Sequence, residues 1–345
     1  MALRAASQPG GLAVLGAGSW GTALALVLAR NGRQVRLWGH DPEHLRCLAA
    51  QRENRRHLAG HAFPPSLQPE TELEVAVHAV AELLVVVPSA GFRDLLRRLG
   101  PLLGADARLA WATKGLDADS GGLLSHAADE LLPGRSQAVL SGPSFAGEVA
   151  RGLPTAVTVA SRDGRFAEDL ARAFHSPRFR VYTSDDPVGV QLGGAVKNVL
   201  AVATGMADGM GMGANARAGL VTRGLAELAR LTEALGGRRR TVMGLAGIGD
   251  LILTCTDDQS RNRRLGLALG AGRDLHEAVR SIGQTVEGVR TAAEVRRLAL
   301  HLDVDMPICE QVHYALAGYL TPREAAARLM QRAPRAEFEG GGLAG

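Results

Sequence analysis

Residues 11–22, Gly-Leu-Ala-Val-Leu-Gly-Ala-Gly-Ser-Trp-Gly-Thr, decide the fold. Residues 11–15 are a short apolar run that reads as a buried strand. Gly16, Gly18 and Gly21 follow at once. Residues 22–30 then read as a helix closed by Asn31-Gly32, and residues 34–38 as a second strand. Strand, glycine turn, helix and strand form the context that a dinucleotide-binding fingerprint needs. Gly16 permits the tight turn, Gly18 lets backbone approach a pyrophosphate, and Gly21 lets helix and strand pack closely. The helix N-terminus offers free N–H groups and the positive end of its dipole to phosphates.

Outward from there, residues 42–56 read as a polar helix, followed by a connection around Pro64-Pro65. Residues 82–87, 108–112 and 138–140 are continuous apolar runs, the pattern of parallel strands covered on both faces. They end in Pro88-Ser89, Thr113-Lys114-Gly115 and Ser141-Gly-Pro-Ser144. Small polar strand ends belong at the carboxyl edge of an open α/β sheet, where ligands bind. Two further strands, 155–160 and 179–182, bracket a helix over 165–175. After Ser184-Asp-Asp-Pro187 the strand signals stop. Helices are expected over about 188–209, 217–235, 274–281, 287–300, 308–317 and 321–332. The expected fold class is therefore α/β: a Rossmann-type, doubly wound sheet over residues 1–186, then an all-α domain over 187–337. Residues 338–345 read as a disordered tail. There is no internal repeat.

At 345 residues, 46% hydrophobic and 21% charged, the chain is long enough for two cored domains and has the balance of a soluble globular protein. Its apolar runs are too short for a membrane span, and its first ten residues lack the apolar core of a secretory signal. Cys47, Cys255 and Cys309 lie far apart without metal-ligand spacing, so no metal is expected. They read as free thiols of a reducing cytoplasm. Aromatics are 4% of the chain, too few for nucleic-acid stacking platforms. The net charge of +4 suits an anionic substrate.

Lys and Arg total 39, yet only Lys114 and Lys197 are lysine. Arginine replaces lysine cheaply on a solvated surface. It does not where a proton must move, because guanidinium stays charged while a buried ammonium can be tuned toward neutrality. Lys197 is therefore the candidate proton donor and acceptor, and Lys114 a second functional ammonium. Asp250 stands in the apolar run Gly247-Ile-Gly-Asp-Leu-Ile-Leu-Thr254 and should be buried against a lysine, unless it only caps a helix. Gly193-Gly194 inside a helix points to a close approach. The run 205–215 is glycine-rich enough to read as a loop or an unwound turn. If Gln259 or Ser260 starts a helix, Ser260 and Arg261 lie at an N-terminus suited to a phosphate.

Taken together, the chain resembles NAD(P)-dependent glycerol-3-phosphate dehydrogenases of the bacterial type over about residues 11–335. The stretches that carry the likeness are Gly16-Ala-Gly-Ser-Trp-Gly-Thr-Ala, Trp111-Ala-Thr-Lys-Gly, Ser141-Gly-Pro-Ser-Phe-Ala, Gly189-Val-Gln-Leu-Gly-Gly-Ala-Val-Lys-Asn, Gly213-Ala-Asn-Ala-Arg and Cys255-Thr-Asp-Asp-Gln-Ser-Arg-Asn-Arg-Arg. The resemblance implies reversible reduction of dihydroxyacetone phosphate to sn-glycerol 3-phosphate, in a cleft between the two domains, for phospholipid synthesis. It implies Lys197 as the acid/base, with Lys114, Asp250, Thr254 and Asn198 lining the site. Ser260, Arg261 and Asn262 would hold the substrate, with Gly142 and Ser144 nearby. Ser19, Trp20, His40, Ala146, Val286 and Glu287 would lie along the cofactor, which Lys114 and Arg261 would also reach. Two positions depart from the family pattern: Ala90, where many members carry His, and Gly147, where Lys or Arg usually follows Phe-Ala.

Either NAD or NADP is expected as cofactor, with NADPH preferred. Strand two ends Leu37-Trp38-Gly39-His40-Asp41. Gly39 cannot repel a 2′-phosphate, and His40 or Arg36 can donate to one; Asp41 should cap the next helix ahead of Pro42. The oligomeric state stays open, a homodimer among the options. Rival readings are a sister dehydrogenase acting on another small anion, a non-catalytic NAD(P)-binding sensor and, more remotely, a nucleic-acid binder.

Overall fold

The computed structural model describes residues 11–334 and residue 337; the tail expected over 338–345 lies outside them. The strands are β1 (Leu12–Leu15), β2 (Val35–Trp38), β3 (Glu53–Asn54), β4 (Leu58–Ala62), β5 (Leu67–Glu70), β6 (Glu82–Val85), β7 (Arg108–Trp111), β8 (Gln137–Ser141), β9 (Thr155–Ala160) and β10 (Phe179–Ser184). Between them run α1 (Ser19–Arg30), α2 (Pro42–Gln51), α3 (Leu73–Val77), α4 (Phe92–Leu99), α5 (Leu124–Leu131), α6 (Ala146–Arg151) and α7 (Gly164–Phe174). Then come α8 (Pro187–Gly209), α9 (Gly213–Ala234), α10 (Arg239–Val242), α11 (Asp250–Thr256), α12 (Arg261–Gly270), α13 (Leu275–Ile282), α14 (Glu287–His301), α15 (Pro307–Leu316) and α16 (Pro322–Met330).

The main sheet is ordered β10-β9-β8-β7-β6-β1-β2-β5. From β5 to β8 every neighbouring pair is parallel. Counted along the chain, those six strands have the 3-2-1-4-5-6 order of a Rossmann sheet. Its order reverses between β1 and β6, which opens a crevice at their carboxyl ends. β1 is buried along its whole length because helices cover both faces of the sheet, so an unbroken apolar run is the sequence it needs. β9 then turns antiparallel to β8, and β10 runs parallel to β9. The chain leaves β10 at Ser184. Asp186 caps α8 through Gly189 N–H, and among the described residues only helices follow. No helix among them is long and apolar enough to cross a membrane.

Three expectations are corrected. The helix expected over 42–56 stops at Gln51, where Arg52 takes a left-handed conformation (φ 52°). The next residues form the β3–β4 hairpin instead. Its anchor is buried Asn54, which donates to Ala17 O at 3.0 Å and Thr22 Oγ1 at 2.8 Å and so ties the hairpin to the glycine turn. The Pro-rich connection contains β5, an unexpected edge strand. The glycine-rich run 205–215 is mostly helical: α8 continues to Gly209 and α9 begins at Gly213.

That last correction has a packing cause. α8 crosses α12 with backbones in contact. A Cβ on Gly205 would lie 2.3 Å from Arg263 O, and one on Gly266 would lie 2.2 Å from Val202 O. In an unpacked helix, Gly→Ala stabilises by about 1 kcal/mol. Here Gly266→Ala is expected to reverse that sign and lower stability by about 1–3 kcal/mol, the usual cost of overpacking a tight core. Urea unfolding checks it; a Gly266→Ala midpoint at or above wild type would mean the two helices can part freely.

Candidate active site

The site begins where β1 gives way to α1. Gly16 has φ 136°, and a Cβ on it would lie 2.3 Å from Val86 O. A Cβ on Gly21 would lie 1.8 Å from Gly16 O. The protein's own packing therefore excludes side chains at both. At Gly18 it does not, since a Cβ there would meet nothing within 4 Å. Gly18 is also the N-cap of α1 and supplies no side-chain cap. The first N–H groups of α1 thus face open space that the fold leaves unfilled. This fits a pyrophosphate at a helix N-terminus.

From that turn a cleft of about 1110 Å³ extends between the sheet and the helices. At its inner end lie the two lysines. Lys197, on α8, is only 7% exposed. Its Nζ donates to Asp250 Oδ1 at 2.5 Å and to Thr254 Oγ1 at 3.0 Å. Lys114, from the loop after β7, crosses from the other side and donates to Asp250 Oδ2 at 2.7 Å. Asp250 is fully buried as the first residue of α11. It reaches that position because a π-helical turn, Leu245–Gly249, packs against α8 where Gly193 has no side chain; a Cβ there would lie 2.1 Å from Ala246 O. The close approach suspected at Gly193 is thus a backbone contact that sets the carboxylate. Across α8, Gly194 makes room for the Lys114 stem and Ser141.

One carboxylate between two ammoniums leaves one positive charge in excess. Burial pushes the Lys197 ammonium down to about 8; Asp250 opposes this, and Lys114 adds to it. Desolvation is thus the largest influence on Lys197, as expected of a buried ammonium. Burial alone would raise the Asp250 carboxyl, but Lys114 and Lys197 together hold it below the usual carboxylate value.

Around this centre the polar side chains orient one another. Asn262 accepts from Gly288 N–H at 2.9 Å and donates to Asn198 Oδ1 at 2.9 Å; Asn198 donates in turn to Glu287 at 3.1 Å. Asn198, Asn262 and Glu287 all line the cleft. Ser260 caps α12 by accepting from Arg263 N–H at 3.2 Å, so the helix suggested there forms. Arg261, first residue of α12, faces the cleft and, among the described residues, holds only a long 3.4 Å bond to Gln284. Ser144 donates to Gly142 O at 2.8 Å, and Gly142 O also receives Lys114 at 3.4 Å.

Ser19, Trp20, His40, Ala146 and Thr254 line the cleft as well. Ser19 donates to His57 O at 2.7 Å. Four of the expected residues do not line the cleft: Gly142, whose carbonyl accepts from Lys114 and Ser144, Asp250, Val286 and Arg36. Asp250 is covered by its lysines, so it meets the cleft through them. The Val286 side chain is buried in the core of the helical part, leaving its backbone as the N-cap of α14. Arg36 is turned away, donating to Val75 O and His78 O at 2.7 Å each. Asp41 caps α2 as expected, accepting from Glu43 and His44 N–H at 3.1 Å. Ala90 is exposed, and Gly147 lines the cleft with open space before it. The sequence reading missed His44, on α2, and Arg56 and His57, in the β3–β4 turn, which line the cleft beside Gly39, His40 and Asp41. The Arg55-Arg56-His57 run was the available signal, and it straddled the end of the segment read as helix, 42–56.

Comparison with known proteins agrees with this geometry. The family model described as NAD-dependent glycerol-3-phosphate dehydrogenase N-terminus matches residues 11–167, and the C-terminus model matches 186–327. A protein of Alkalilimnicola ehrlichii named glycerol-3-phosphate dehydrogenase [NAD(P)+] is 62% identical over 322 residues, covering 93% of this chain and 97% of that protein. The crystal structure of glycerol-3-phosphate dehydrogenase from Coxiella burnetii superposes with a TM-score of 0.92 at 48% identity, covering 94% of this chain and 100% of that one. The enzyme from Saccharomyces cerevisiae gives 0.81 at 27% identity, with coverage of 94% and 100%. With the glycine turn, the buried two-lysine centre and full-length similarity all in agreement, the chain belongs to the NAD-dependent glycerol-3-phosphate dehydrogenase family.

Proposed function

We propose that this protein reversibly reduces dihydroxyacetone phosphate to sn-glycerol 3-phosphate, preferring NADPH, and supplies glycerophospholipid synthesis in the cytoplasm. Residues 1–186 bind the dinucleotide and residues 187–337 complete the substrate site. The observation that carries the reading is the buried Lys197 ammonium, tuned to about 8 between Asp250 and Thr254.

A nicotinamide dinucleotide in the cleft would supply or accept the hydride. Gly16, Gly18 and Gly21 would hold its pyrophosphate, and Ser19, Trp20, His40, Ala146 and Glu287 would lie along it, with Val286 contributing backbone. When hydride reaches the ketone carbon, negative charge grows on the oxygen. Lys197 and Lys114 stabilise that charge, and Lys197 delivers the proton. Asp250 fixes both ammoniums, and the Thr254 hydroxyl, donating to Asp250 O at 2.6 Å, orients its lone pairs toward Lys197. Ser260, Arg261 and Asn262 at the start of α12 take the substrate phosphate, and Gly142, Ser144 and Asn198 position the hydroxyl end. Loss of NADPH absorbance with and without dihydroxyacetone phosphate tests the reaction; NADPH consumption that does not depend on the ketone phosphate refutes it.

Arg261→Ala is expected to raise KM for dihydroxyacetone phosphate far more than KM for NADPH. Losing a charge-assisted hydrogen bond costs about 1.5–3 kcal/mol, or roughly 10- to 100-fold. Steady-state KM values for both reactants decide it. Equal increases would assign Arg261 to the cofactor instead.

A further inference from the structure

The geometry points to Arg56 as the residue that commits the ribose end of the cleft to a 2′-phosphorylated dinucleotide. It cancels the charge of Asp41 and presents a guanidinium to the phosphate. The inference rests on the dinucleotide-binding reading above and identifies which side chain sets its preference.

Selectivity for the unphosphorylated ribose needs a free carboxylate near the end of the second strand. Here β2 ends at Trp38. Gly39 offers no side chain, and a Cβ there would lie 3.1 Å from Ala17 Cβ. Asp41 is the first carboxylate available, and both its oxygens are engaged. Oδ1 accepts from Glu43 and His44 N–H, while Oδ2 lies 3.3 Å from Arg56 Nη1. The Arg56 side chain is 64% exposed and lines the cleft, so it can accept a second anion. A guanidinium matches a phosphate with paired N–H donors, and a dianion outcompetes a carboxylate already committed to a helix cap.

The neighbouring groups agree. His40, His44 and His57 face the same end of the cleft, and Asp41 is the carboxylate among them. The His44 and His57 rings meet edge-on at 5.1 Å, and burial keeps both below the ordinary imidazole value. Arg56, by contrast, carries a permanent charge beside Asp41. Arg36, on this strand, is spent on two backbone carbonyls, and Arg98 lies over the Trp38 ring at 5.2 Å. Arg56 owes its place to the β3–β4 hairpin, which Asn54 pins to the glycine turn itself.

Titration calorimetry on the full chain tests this with NADP⁺, NAD⁺, adenosine 2′,5′-bisphosphate and AMP, none of which requires turnover. Arg56→Gln is expected to weaken NADP⁺ and the bisphosphate by about tenfold or more, the scale of one charge-assisted hydrogen bond, and to leave NAD⁺ and AMP nearly unchanged. Asp41→Asn keeps a competent helix cap while removing the opposing charge, so it should tighten both 2′-phosphorylated ligands. Equal weakening of all four ligands by Arg56→Gln, or no weakening of any, overturns the assignment. Loss of ketone reduction with 2′-phosphate discrimination intact would sink the proposed reaction and leave Arg56 standing.

Discussion

Replacing Lys197 with arginine is expected to lower kcat for dihydroxyacetone phosphate reduction by about 10²–10⁴-fold, the usual worth of a positioned acid. The variant keeps the positive charge that stabilises the developing alkoxide, so what it removes is the transferable proton. Lys197 is tuned to about 8 and so is protonated but close to exchange at neutral pH. Guanidinium cannot give up a proton there. The sign of the pH dependence follows. Reduction needs the ammonium, so wild-type activity should fall as pH rises through about 8, whereas alcohol oxidation needs the free amine and should rise over the same range. In Lys197→Arg that inflection should vanish in both directions. The larger side chain must fit between Asp250 and Thr254, an overpacking cost of about 1–3 kcal/mol. Thermal unfolding and NADPH binding therefore accompany the kinetics. A folded, NADPH-binding Lys197→Arg protein that keeps more than a tenth of wild-type kcat would exclude Lys197 as the proton carrier.

How far the sequence reached depends on the range of the forces involved. The glycine turn was legible because its constraints are local: Gly16 and Gly21 are excluded from carrying side chains by atoms within the same strand–turn–helix unit or its neighbour strand. The apolar strands β1, β6 and β7 were legible because burial on both faces leaves one kind of residue to choose. β5 was not, since Leu67-Gln-Pro-Glu looks like a turn. Proline is tolerated there because β5 lies at the sheet edge, a fact of tertiary order rather than of sequence. The helical run through Gly205 and Gly209 failed for the same reason: its stabilisation comes from α12, some 60 residues away. In the site, scarcity of lysine exposed Lys114 and Lys197 directly. Arg56 was hidden because arginine is the default cation of this chain and its position depends on a hairpin that Asn54 creates through a long-range contact.

Asp250→Asn should be nearly as damaging as the loss of Lys197, for an electrostatic reason. Asparagine matches the carboxylate in shape and can still accept from one lysine. It leaves the buried Lys197 ammonium and the partly buried Lys114 ammonium without their shared counter-ion. Breaking a buried ion pair by removing one partner costs about 3–5 kcal/mol when the remaining charge must stay. Here it need not stay. Lys197 already sits near 8, so shedding its proton at pH 7 costs only about 1.4 kcal/mol in the wild type, and less once Asp250 no longer holds the proton in place. The cheaper escape wins: the protein loses about 1–2 kcal/mol of stability and keeps a neutral Lys197. A neutral amine cannot protonate the alkoxide, so reduction at pH 7 should fall by about 10²-fold or more. The falling limb of the reduction profile should move to lower pH, because Asp250 is what raises Lys197 against burial. Acidic conditions should therefore restore part of the Asp250→Asn activity, which a merely misfolded site would not allow. Profiles of kcat from pH 5 upward for wild type and variant decide the matter. If the Asp250→Asn limb coincides with the wild-type one, the carboxylate only positions the lysines and does not tune them.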